Sequence, residues 1–351
     1  MNDSALRLLD RLIATPSLSR DESATADIIE NELRCCGIAP RRLMNNVWAV
    51  CDNYSADKPT LLLNSHHDTV RPSQSYTLDP FSPLHRDGRI YGLGSNDAGG
   101  ALVSLVECFR LLHNRPLSFN LVLALTAEEE VSGANGIEAL LKHFDETGLK
   151  IDMAIVGEPT GMKAAIAKRG LVVLDCCARG VSGHAARDEG DNAIIRALDD
   201  IALLRSFRFE RTSPTLGDVK MTVTQINAGT QHNVIPDRCD FVVDIRTTDA
   251  YSNREMVDII SSALQSDVKA RSIRLQASAI SCEHRLVKAA TTLGIETFVS
   301  PTLSDRALMH GIPALKIGPG ESSRSHSADE YILEREIDRA IDIYQQIITS
   351  L

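Results

Sequence analysis

Short apolar runs alternate along the chain with stretches whose apolar residues recur at helical spacing, and this alternation most limits the fold. Strand-like runs occupy 46–50 (NVWAV), 60–64 (TLLLN), 120–125 (NLVLAL) and 153–157 (MAIVG). Helical patterns at about 98–113 and about 136–144 separate the later runs. Such alternation is typical of a largely parallel or mixed sheet covered by helices. We therefore predict an α/β fold.

The pattern changes between about 163 and 279. The strand-like runs AAIAK, LVVLDCCA, VKMTVTQI and CDFVVDIRT surround helical stretches near 192–205 and 253–265. This composition suits a small α+β unit with its helices on one face. A chain of 351 residues also favours more than one domain. The predicted domains are a discontinuous catalytic domain, 1–162 and 280–351, and an inserted domain, 163–279.

Charge and cysteine content limit the partners of the chain. Its 37 basic and 47 acidic residues give a net charge of -10, which disfavours nucleic acid or an anionic membrane. Apolar runs such as 121–125 are too short to span a bilayer, and the amino terminus lacks a secretory pattern. The eight cysteines contain no CxxC pair, so we interpret them as free thiols. A cytoplasmic protein is therefore expected.

A capping signal and a metal-binding signal lie near the start of the chain. Ser19 with Glu22 has the spacing of a capping box ahead of a helical stretch. In SHHDTV, which follows the run at 60–64, His66 and Asp68 share one face of an extended segment while His67 points away. A carboxylate beside a histidine can fix the ring for metal binding. Taken alone, this motif also fits a solvated polar loop.

Further polar motifs follow strands or turns, where the carboxyl ends of sheet strands border a crevice. Their chemistry-bearing residues are Asp97 in GLGSNDAGG, three glutamates at 128–130, Glu158 before Pro159, and His326 after GPGESSRS. Proline favours an extended conformation at the residue before it. Two histidines and several carboxylates at successive strand ends suit a pair of divalent ions, with zinc preferred.

These motifs together resemble a known family. The matching segments are SHHDTV, GLGSNDAGG, TAEEEVSG, VGEPT, VSGHAA, NVIP, DIR and GPGESSRSHSADEY. They occur in the order found in the dinuclear-zinc deacylases and peptidases, which include acetylornithine deacetylase, succinyl-diaminopimelate desuccinylase, aminoacylase and a glutamate carboxypeptidase. The resemblance implies a zinc-exopeptidase-like mixed central sheet flanked by helices. It also implies that the inserted domain is ferredoxin-like and serves for dimerisation and as a lid.

The resemblance further implies a set of metal ligands. His66, Asp97 and Glu158 would hold one ion, and Asp97, Glu130 and His326 the other, so that Asp97 bridges them. Zinc is the expected ion, with cobalt or manganese as alternatives. The peptide bond after Asp97 is expected to be cis.

Two more roles follow from the resemblance. Asp68 would orient His66, and Glu129 would be the general base that moves a proton from water to the leaving amine. The family usually has Asp-Glu-Glu where this chain has three consecutive glutamates. Aligning the following Val-Ser-Gly makes Glu129 the base and Glu130 the ligand. A slip of one residue would give these roles to Glu128 and Glu129.

The inserted segment carries three predicted site residues. The resemblance implies that His184 reaches the active site of a partner subunit and stabilises the oxyanion, in a homodimer built through this domain. A turn histidine without such a role is the alternative. Asn233 and Arg246 would contact the substrate, since an arginine fork matches a carboxylate. Lys168 and Arg169 are interpreted as surface charges.

The GPGE turn and the SADEY segment are most similar to acetylornithine deacetylases. This implies hydrolysis of N-acetyl-ornithine to ornithine and acetate, a step of arginine biosynthesis. Arg324 lies two residues before His326 and would favour a succinyl group if it paired with the acyl carboxylate; an exposed arginine without this role is equally compatible. N-succinyl-ornithine, N-acetyl-citrulline, N-succinyl-diaminopimelate and dipeptides are the alternative substrates.

Two other classes of protein are compatible with parts of the sequence. A non-catalytic scaffold or binding module would have no use for Glu129 beside every expected ligand. A cysteine hydrolase would keep its activity in the presence of chelators and lose it with thiol reagents.

Overall fold

The chain divides into two compact units in a computed structural model that describes residues 3–187 and 189–351. The first unit comprises the chain up to Ile166, Ile280–Phe298 and Ser304–Leu351, and the second comprises Ala167–Ala279 and Val299–Leu303. These boundaries lie within a few residues of the predicted ones, except that 299–303 joins the second unit. The catalytic and lid roles of the two domains stay predictions.

The helices and strands follow one another in a mainly alternating order. The α-helices of the described chain are α1 (Asp3–Ile13), α2 (Ser23–Cys35), α3 (Gly100–Leu112), α4 (Ile137–Thr147), α5 (Ala193–Ser206), α6 (Asn253–Ala263), α7 (Arg285–Thr292) and α8 (Glu334–Thr349). The strands are β1 (Arg41–Leu43), β2 (Asn46–Val50), β3 (Thr60–His66), β4 (Leu84–Arg86), β5 (Arg89–Tyr91), β6 (Asn120–Thr126), β7 (Met153–Val156), β8 (Ala164–Lys168), β9 (Gly170–Arg179), β10 (Gly183–His184), β11 (Lys220–Ala228), β12 (Val234–Ile235), β13 (Arg238–Thr247), β14 (Asp267–Ala270), β15 (Ser278–Ala279), β16 (Thr297–Ser300), β17 (Ala314–Lys316) and β18 (Tyr331–Leu333).

A mixed sheet forms the centre of the first unit. Its strand order is β1-β2-β6-β3-β7-β17-β8. The neighbouring pairs among β6, β3, β7 and β17 are parallel. The pairs β1–β2, β2–β6 and β17–β8 are antiparallel. Every residue of β3 and β6 is buried, as expected for strands covered on both faces. Each buried Leu or Val side chain contributes about 1.5–3 kcal/mol to stability. The predicted α/β class is confirmed.

The run AAIAK was predicted as a strand of the inserted domain, but it forms β8 and pairs with β17 through Ala165 and Lys316. In its place, β14 is the fourth strand of the sheet in the second unit. β14 has the sequence DVKA, and its Asp267 and Lys269 are exposed on an edge strand. An edge strand with alternating charges lacks the apolar run that sequence analysis depends on.

The second unit contains a four-stranded sheet of order β11-β13-β9-β14 and a separate pair, β10 and β12. The strands of the larger sheet and the two helices follow one another as β9-α5-β11-β13-α6-β14. All its strand pairs are antiparallel, which gives the βαββαβ topology of a ferredoxin-like fold. Alternate residues of β9 and β13 are buried, and the buried sides of α5 and α6 belong to the same core. The helices therefore cover one face of this sheet, and the other face carries both charged and partly buried apolar side chains.

The predicted capping box between Ser19 and Glu22 is wrong. Helix α2 begins at Ser23, and the side chain of Glu22 does not cap it. Glu22 is fully buried and accepts a hydrogen bond from Asn45 Nδ2 at 2.9 Å. The Ser19 hydroxyl donates to Asp68 Oδ2 at 2.7 Å. Both side chains therefore hydrogen-bond to residues that are distant in sequence, which local spacing cannot reveal.

Two expectations about the environment of the chain can be compared with the structure. All eight cysteines are free, and four of them are buried, as expected for thiols that do not form bridges. None of the helices in the described residues is long and apolar enough to cross a bilayer.

A histidine on the surface of the first unit links stability to pH. His85 Nε2 lies 2.8 Å from Asp10 Oδ1, and its Nδ1 lies 3.1 Å from Glu334 Oε1. Burial tends to lower the pKa of His85, but the hydrogen bonds to both carboxylates outweigh it and raise the pKa above 6.5. A raised folded-state pKa adds stability below the unfolded value and loses it as pH rises through the folded value.

We therefore expect His85→Gln to lower the Tm at about pH 5.5 and to change it little at about pH 9. Thermal unfolding of wild type and variant across this range measures the difference. Equal losses of Tm at both ends would contradict the ion pairing and indicate a loss of packing alone.

Candidate metal centre

The parallel strands bring the predicted ligands to one edge of the sheet. β6, β3 and β7 are neighbours and run in the same direction, so their carboxyl ends meet. The ligands come from five segments: His66 ends β3, Glu130 follows β6, Glu158 follows β7, Asp97 precedes α3 and His326 precedes β18. All five lie in the first unit.

Asp97 lies between the two histidines. Its Oδ1 is 3.3 Å from His66 Nε2, and its Oδ2 is 3.6 Å from His326 Nε2. Glu158 Oε1 is 3.9 Å from His66 Nε2, and Glu130 Oε2 is 2.9 Å from His326 Nε2. In each group, His66–Asp97–Glu158 and Asp97–Glu130–His326, the candidate ligand atoms lie within 4.8 Å of one another. Asp97 is the member that both groups share.

The charge and chemistry of this cluster fit two divalent cations. Burial raises the pKa of Glu158 to about 7, although the charges of Lys316 and His66 oppose this. Burial, reinforced by Glu158, also raises the pKa of Glu129 well above its ordinary value. Carboxylates gathered in a buried site are costly unless cations balance them. Imidazole together with carboxylate is a ligand combination that zinc accepts.

The backbone at Asp97 is fixed by a residue that sequence analysis did not single out. The peptide bond from Asp97 to Ala98 is cis, as the resemblance implied. Glu330 is 1% exposed, and its Oε1 accepts the N–H groups of Asn96 at 2.8 Å and Asp97 at 2.9 Å. Burial raises the pKa of Glu330 to about 8, with the charge of Asp97 adding to the effect. Its position within SADEY was the available signal.

His66 and the turn after β6 are both connected to Asp68. His66 Nδ1 is 3.0 Å from the carbonyl oxygen of Asp68 and 3.5 Å from its Oδ1. The Asp68 carboxylate also accepts the N–H groups of Glu129 at 3.0 Å and Glu130 at 3.1 Å. Burial tends to raise the pKa of Asp68, but its hydrogen bonds to His66 and Ser19 lower it. The second connection, to the glutamates, was missed by sequence analysis.

The three consecutive glutamates have different surroundings. Glu128 has a left-handed backbone (φ 58°), and its Oε1 accepts a hydrogen bond from Asn135 Nδ2 at 2.8 Å. Glu129 Oε2 lies 3.8 Å from His66 Nε2, and Glu130 contacts His326. The segment is a turn rather than the extended strand end we expected, so Glu129 and Glu130 both face the cluster. This geometry favours the register with Glu129 as base.

Two other buried charged residues near the cluster were not predicted. Lys316 is 2% exposed, with Nζ 3.7 Å from Glu158 Oε2. Asp305 is 3% exposed and accepts hydrogen bonds from Thr126 Oγ1 at 2.6 Å and Asn64 Nδ2 at 3.2 Å. A lysine inside the apolar run PALKIG was a usable signal, because a buried charge needs a partner. Asp305 lies in a segment without periodicity and offered none.

The remaining predicted residues of the inserted segment belong to the second unit. His184 is exposed on β10, which pairs with β12, and the N–H of Ala185 donates to the carbonyl of Asn233 at 3.0 Å. The structure thus places His184 and Asn233 near each other in this unit. Arg246 Nε donates to Asp244 Oδ1 at 2.8 Å on β13. Lys168 is not a surface charge: it is 1% exposed, and its Nζ donates to the carbonyl of Gln276.

Arg324 has a partner within the first unit. Its Nη1 and Nη2 donate to the two carboxylate oxygens of Glu336 at 2.8 and 3.1 Å. Its guanidinium also lies 4.7 Å from the ring centroid of Tyr331, and 17% of the side chain is exposed. These contacts favour a structural role for Arg324 over binding of a succinyl carboxylate.

The mixed sheet presents two candidate cation sites at its strand ends, with a further carboxylate beside them. This arrangement is typical of a dinuclear metal-dependent hydrolase. Residues 62–350 match the sequence profile of peptidase family M20/M25/M40. The chain belongs to this family and is an enzyme that hydrolyses amide bonds.

Curated relatives and solved structures agree with this placement. Succinyl-diaminopimelate desuccinylase of Delftia acidovorans is 25% identical over 99% of this chain and 97% of the relative. Acetylornithine deacetylase of Erwinia tasmaniensis is 27% identical over 98% of this chain and 96% of the relative. The aminopeptidase PepT of Bacillus cereus superposes with a TM-score of 0.77 at 18% identity, covering 99% and 98%. A dinuclear metal binding peptidase of the M20 family from Bacillus subtilis superposes with a TM-score of 0.71 at 18% sequence identity. The superposition covers 99% of this chain and 98% of that one.

Proposed function

We propose that the protein removes the acyl group from an N-acylated amino acid, with N-acetyl-ornithine as substrate and ornithine and acetate as products. The observation that carries the proposal is Glu129 beside a cluster in which Asp97 faces both histidines. A relative named acetylornithine deacetylase supports this substrate. N-succinyl-diaminopimelate is the second candidate, because relatives of similar identity are named desuccinylases. N-succinyl-ornithine, N-acetyl-citrulline and dipeptides are further alternatives.

In this proposal the two groups of ligands hold two zinc ions, or cobalt or manganese in their place. His66, Asp97 and Glu158 hold one ion, and Asp97, Glu130 and His326 hold the other. When bound, the ions polarise the amide carbonyl and lower the pKa of the attacking water. Asp68 orients His66 through the contacts at its Nδ1.

Glu129 acts as general base and then as general acid. Its carboxylate takes a proton from the water as the water oxygen attacks the carbonyl carbon. It then gives this proton to the amine nitrogen as the carbon–nitrogen bond breaks.

Residues of the second unit complete the proposal. His184 of a second copy donates a hydrogen bond to the developing oxyanion, and its exposure leaves the ring accessible. Asn233 and Arg246 bind the substrate, and the Arg246 guanidinium pairs with the α-carboxylate of the substrate. Arg246 is 47% exposed beside Asp244, so its guanidinium remains accessible to solvent.

We expect N-acetyl-ornithine to give a higher kcat/KM than N-succinyl-ornithine or N-succinyl-diaminopimelate. Because Glu336 holds Arg324, Arg324→Ala should leave the ratio of kcat/KM for acetyl- and succinyl-ornithine unchanged. Steady-state assays of wild type and variant on both substrates measure this ratio, with Glu336→Gln as the matched control. A change of about tenfold or more, equivalent to about 1.4 kcal/mol, would show that Arg324 contacts the acyl group.

A surface of the second unit supports the proposed homodimer. β11 is an edge strand, and most of its residues are exposed. Ile226 on this strand is 48% exposed, and Ile195 and Leu198 on α5 are 54% and 48% exposed. α5 packs against β11, so one side of this unit combines an open edge with exposed apolar side chains. An edge of this kind is suited to pairing with a second copy.

Ile226→Asp is expected to convert the dimer to monomer at low micromolar concentration, because it places a charge at the proposed contact. Light scattering coupled to size exclusion measures the mass. Leu293→Asp, at an exposed apolar residue of the first unit, is the control and should leave the dimer intact. If His184 acts in a partner subunit, the monomer also loses turnover. An Ile226→Asp dimer as tight as wild type would rule out this surface.

Location and pathway complete the proposal. Eight free thiols agree with a cytoplasmic enzyme. A role in arginine biosynthesis follows if N-acetyl-ornithine is the preferred substrate, and the substrate assays above therefore test it.

A further inference from the structure

Asn96, the residue before Asp97, has a buried side chain that makes three hydrogen bonds to one turn. It is 0% exposed. Its Nδ2 donates to the carbonyl of Glu321 at 3.1 Å and to Ser325 Oγ at 3.3 Å, and its Oδ1 accepts the N–H of Glu321 at 3.1 Å. The Asn96 amide thus both donates and accepts hydrogen bonds, and all its partners lie within residues 321–325.

This turn leads directly into His326. The turn contains a short 3-10 helix, Ser322–Arg324, and His326 follows it with a left-handed backbone (φ 58°). The His326 side chain is 53% exposed, so burial does little to fix it. Gly320, at the start of the turn, has φ 79°, and a Cβ there would collide with Asn96 Oδ1. The turn is therefore closely packed against Asn96.

Ser325 connects the same turn to the Asp97 carboxylate. Its hydroxyl accepts a hydrogen bond from Asn96 Nδ2 at 3.3 Å and lies close to that carboxylate. The chain of contacts runs from Asn96 through Ser325 to Asp97. The two ligands Asp97 and His326, which are far apart in sequence, are thereby held in one network.

We propose that Asn96 is a positioning residue for the metal site formed by Asp97, Glu130 and His326. It fixes the turn that carries His326 relative to the backbone that carries Asp97. The other site takes its remaining ligands, His66 and Glu158, from the ends of β3 and β7. The hydrogen bonds of the Asn96 side chain go to Glu321 and Ser325 rather than to either of these segments. The inference rests on the ligand assignment of the proposed function.

Loss of Asn96 should therefore affect the two sites unequally. Residues that orient metal ligands typically change metal affinity by about 10–100-fold when removed. Without the amide, the turn must be ordered when the ion binds, and this ordering opposes binding. The affinity of the site that contains His326 for its ion should fall. The site that contains His66 and Glu158 should bind its ion as in wild type.

The test is titration of the metal-free protein with Zn²⁺ in competition with a chromophoric chelator, which gives two dissociation constants without an activity assay. For Asn96→Ala we expect one constant to rise about 10–100-fold and the other to stay unchanged. Ser325→Ala should shift the same constant by a smaller factor. Ser323→Ala, an exposed residue of the same turn, is the matched control and should shift neither.

The double variant Asn96→Ala/His326→Gln identifies the weakened site. If Asn96 acts through His326, adding Asn96→Ala to His326→Gln should change binding of the remaining ion little. Equal weakening of both ions, or no weakening in Asn96→Ala and Ser325→Ala, would overturn the inference. If Asn96→Ala does not fold, Ser325→Ala decides the outcome. A wild-type protein that binds fewer than two ions would instead refute the ligand assignment itself.

Discussion

Replacing Glu129 by glutamine is expected to lower kcat by about 10²–10⁴-fold, the range observed for loss of a general base. Glutamine has almost the same shape but cannot accept the proton of the attacking water. Because Glu129 belongs to neither of the two ligand groups that share Asp97, both metal ions should remain bound. Steady-state kinetics on N-acetyl-ornithine, together with metal analysis of the same sample, measure the two results.

Glu128→Gln is the matched control, because it makes the same chemical change one residue earlier. The Glu128 carboxylate bonds to Asn135, so this variant should lose some thermal stability and keep kcat within about tenfold of wild type. The opposite pattern, with Glu128→Gln inactive and Glu129→Gln active, would establish the register shifted by one residue. Loss of an ion in Glu129→Gln would instead make Glu129 a ligand, since it lies beside His66 and Glu130 in a third candidate group.

Asp97→Asn is expected to remove both metal ions and to reduce activity at least as far as the change at Glu129. Each oxygen of the Asp97 carboxylate faces a different histidine, and an amide can supply only one oxygen and no charge. Both ions therefore lose a ligand and part of the negative charge that balances them. Metal analysis after dialysis and the deacylase assay measure the two losses.

His326→Gln is the comparison for this variant, because His326 belongs to only one group. It should lose one ion and retain the other. Wild type stripped with a chelator should regain activity with zinc, cobalt or manganese, whereas Asp97→Asn should not. An Asp97→Asn protein that keeps two ions would show that Asp97 does not bridge them. A wild type that keeps full activity in the chelator would contradict metal-dependent catalysis altogether.

Much of the site could be located from sequence because of where its residues lie. His66, Glu130 and Glu158 lie at the ends of neighbouring parallel strands of the mixed sheet or just after them, so a correct prediction of the strands also brings these side chains together. Asp97 and His326 precede other elements; the glycine-containing motifs around them singled them out, and the resemblance to a family gave them their places in the two ligand groups. Composition and periodicity contained no equivalent information for these two residues.

Other features could not be predicted because their partners are distant in sequence. The hydroxyl of Ser19 bonds to Asp68 instead of capping α2, and Arg324 bonds to Glu336 instead of remaining accessible. The run AAIAK joins the larger sheet, since an apolar strand does not specify which sheet it enters. In each case the competing interactions have similar local propensities, and long-range contacts decide between them.

The sequence by itself determined the α/β class, the buried central strands and the residues that bear the chemistry, because hydrophobic period and residue type are local properties. Only the tertiary structure decided which oxygen of Asp97 faces which histidine, which of three consecutive glutamates turns away, and that Asn96 holds the turn carrying His326. These outcomes depend on ångström-scale distances between residues up to 229 positions apart in the chain. Such distances are set by packing of the whole unit, which no local pattern encodes.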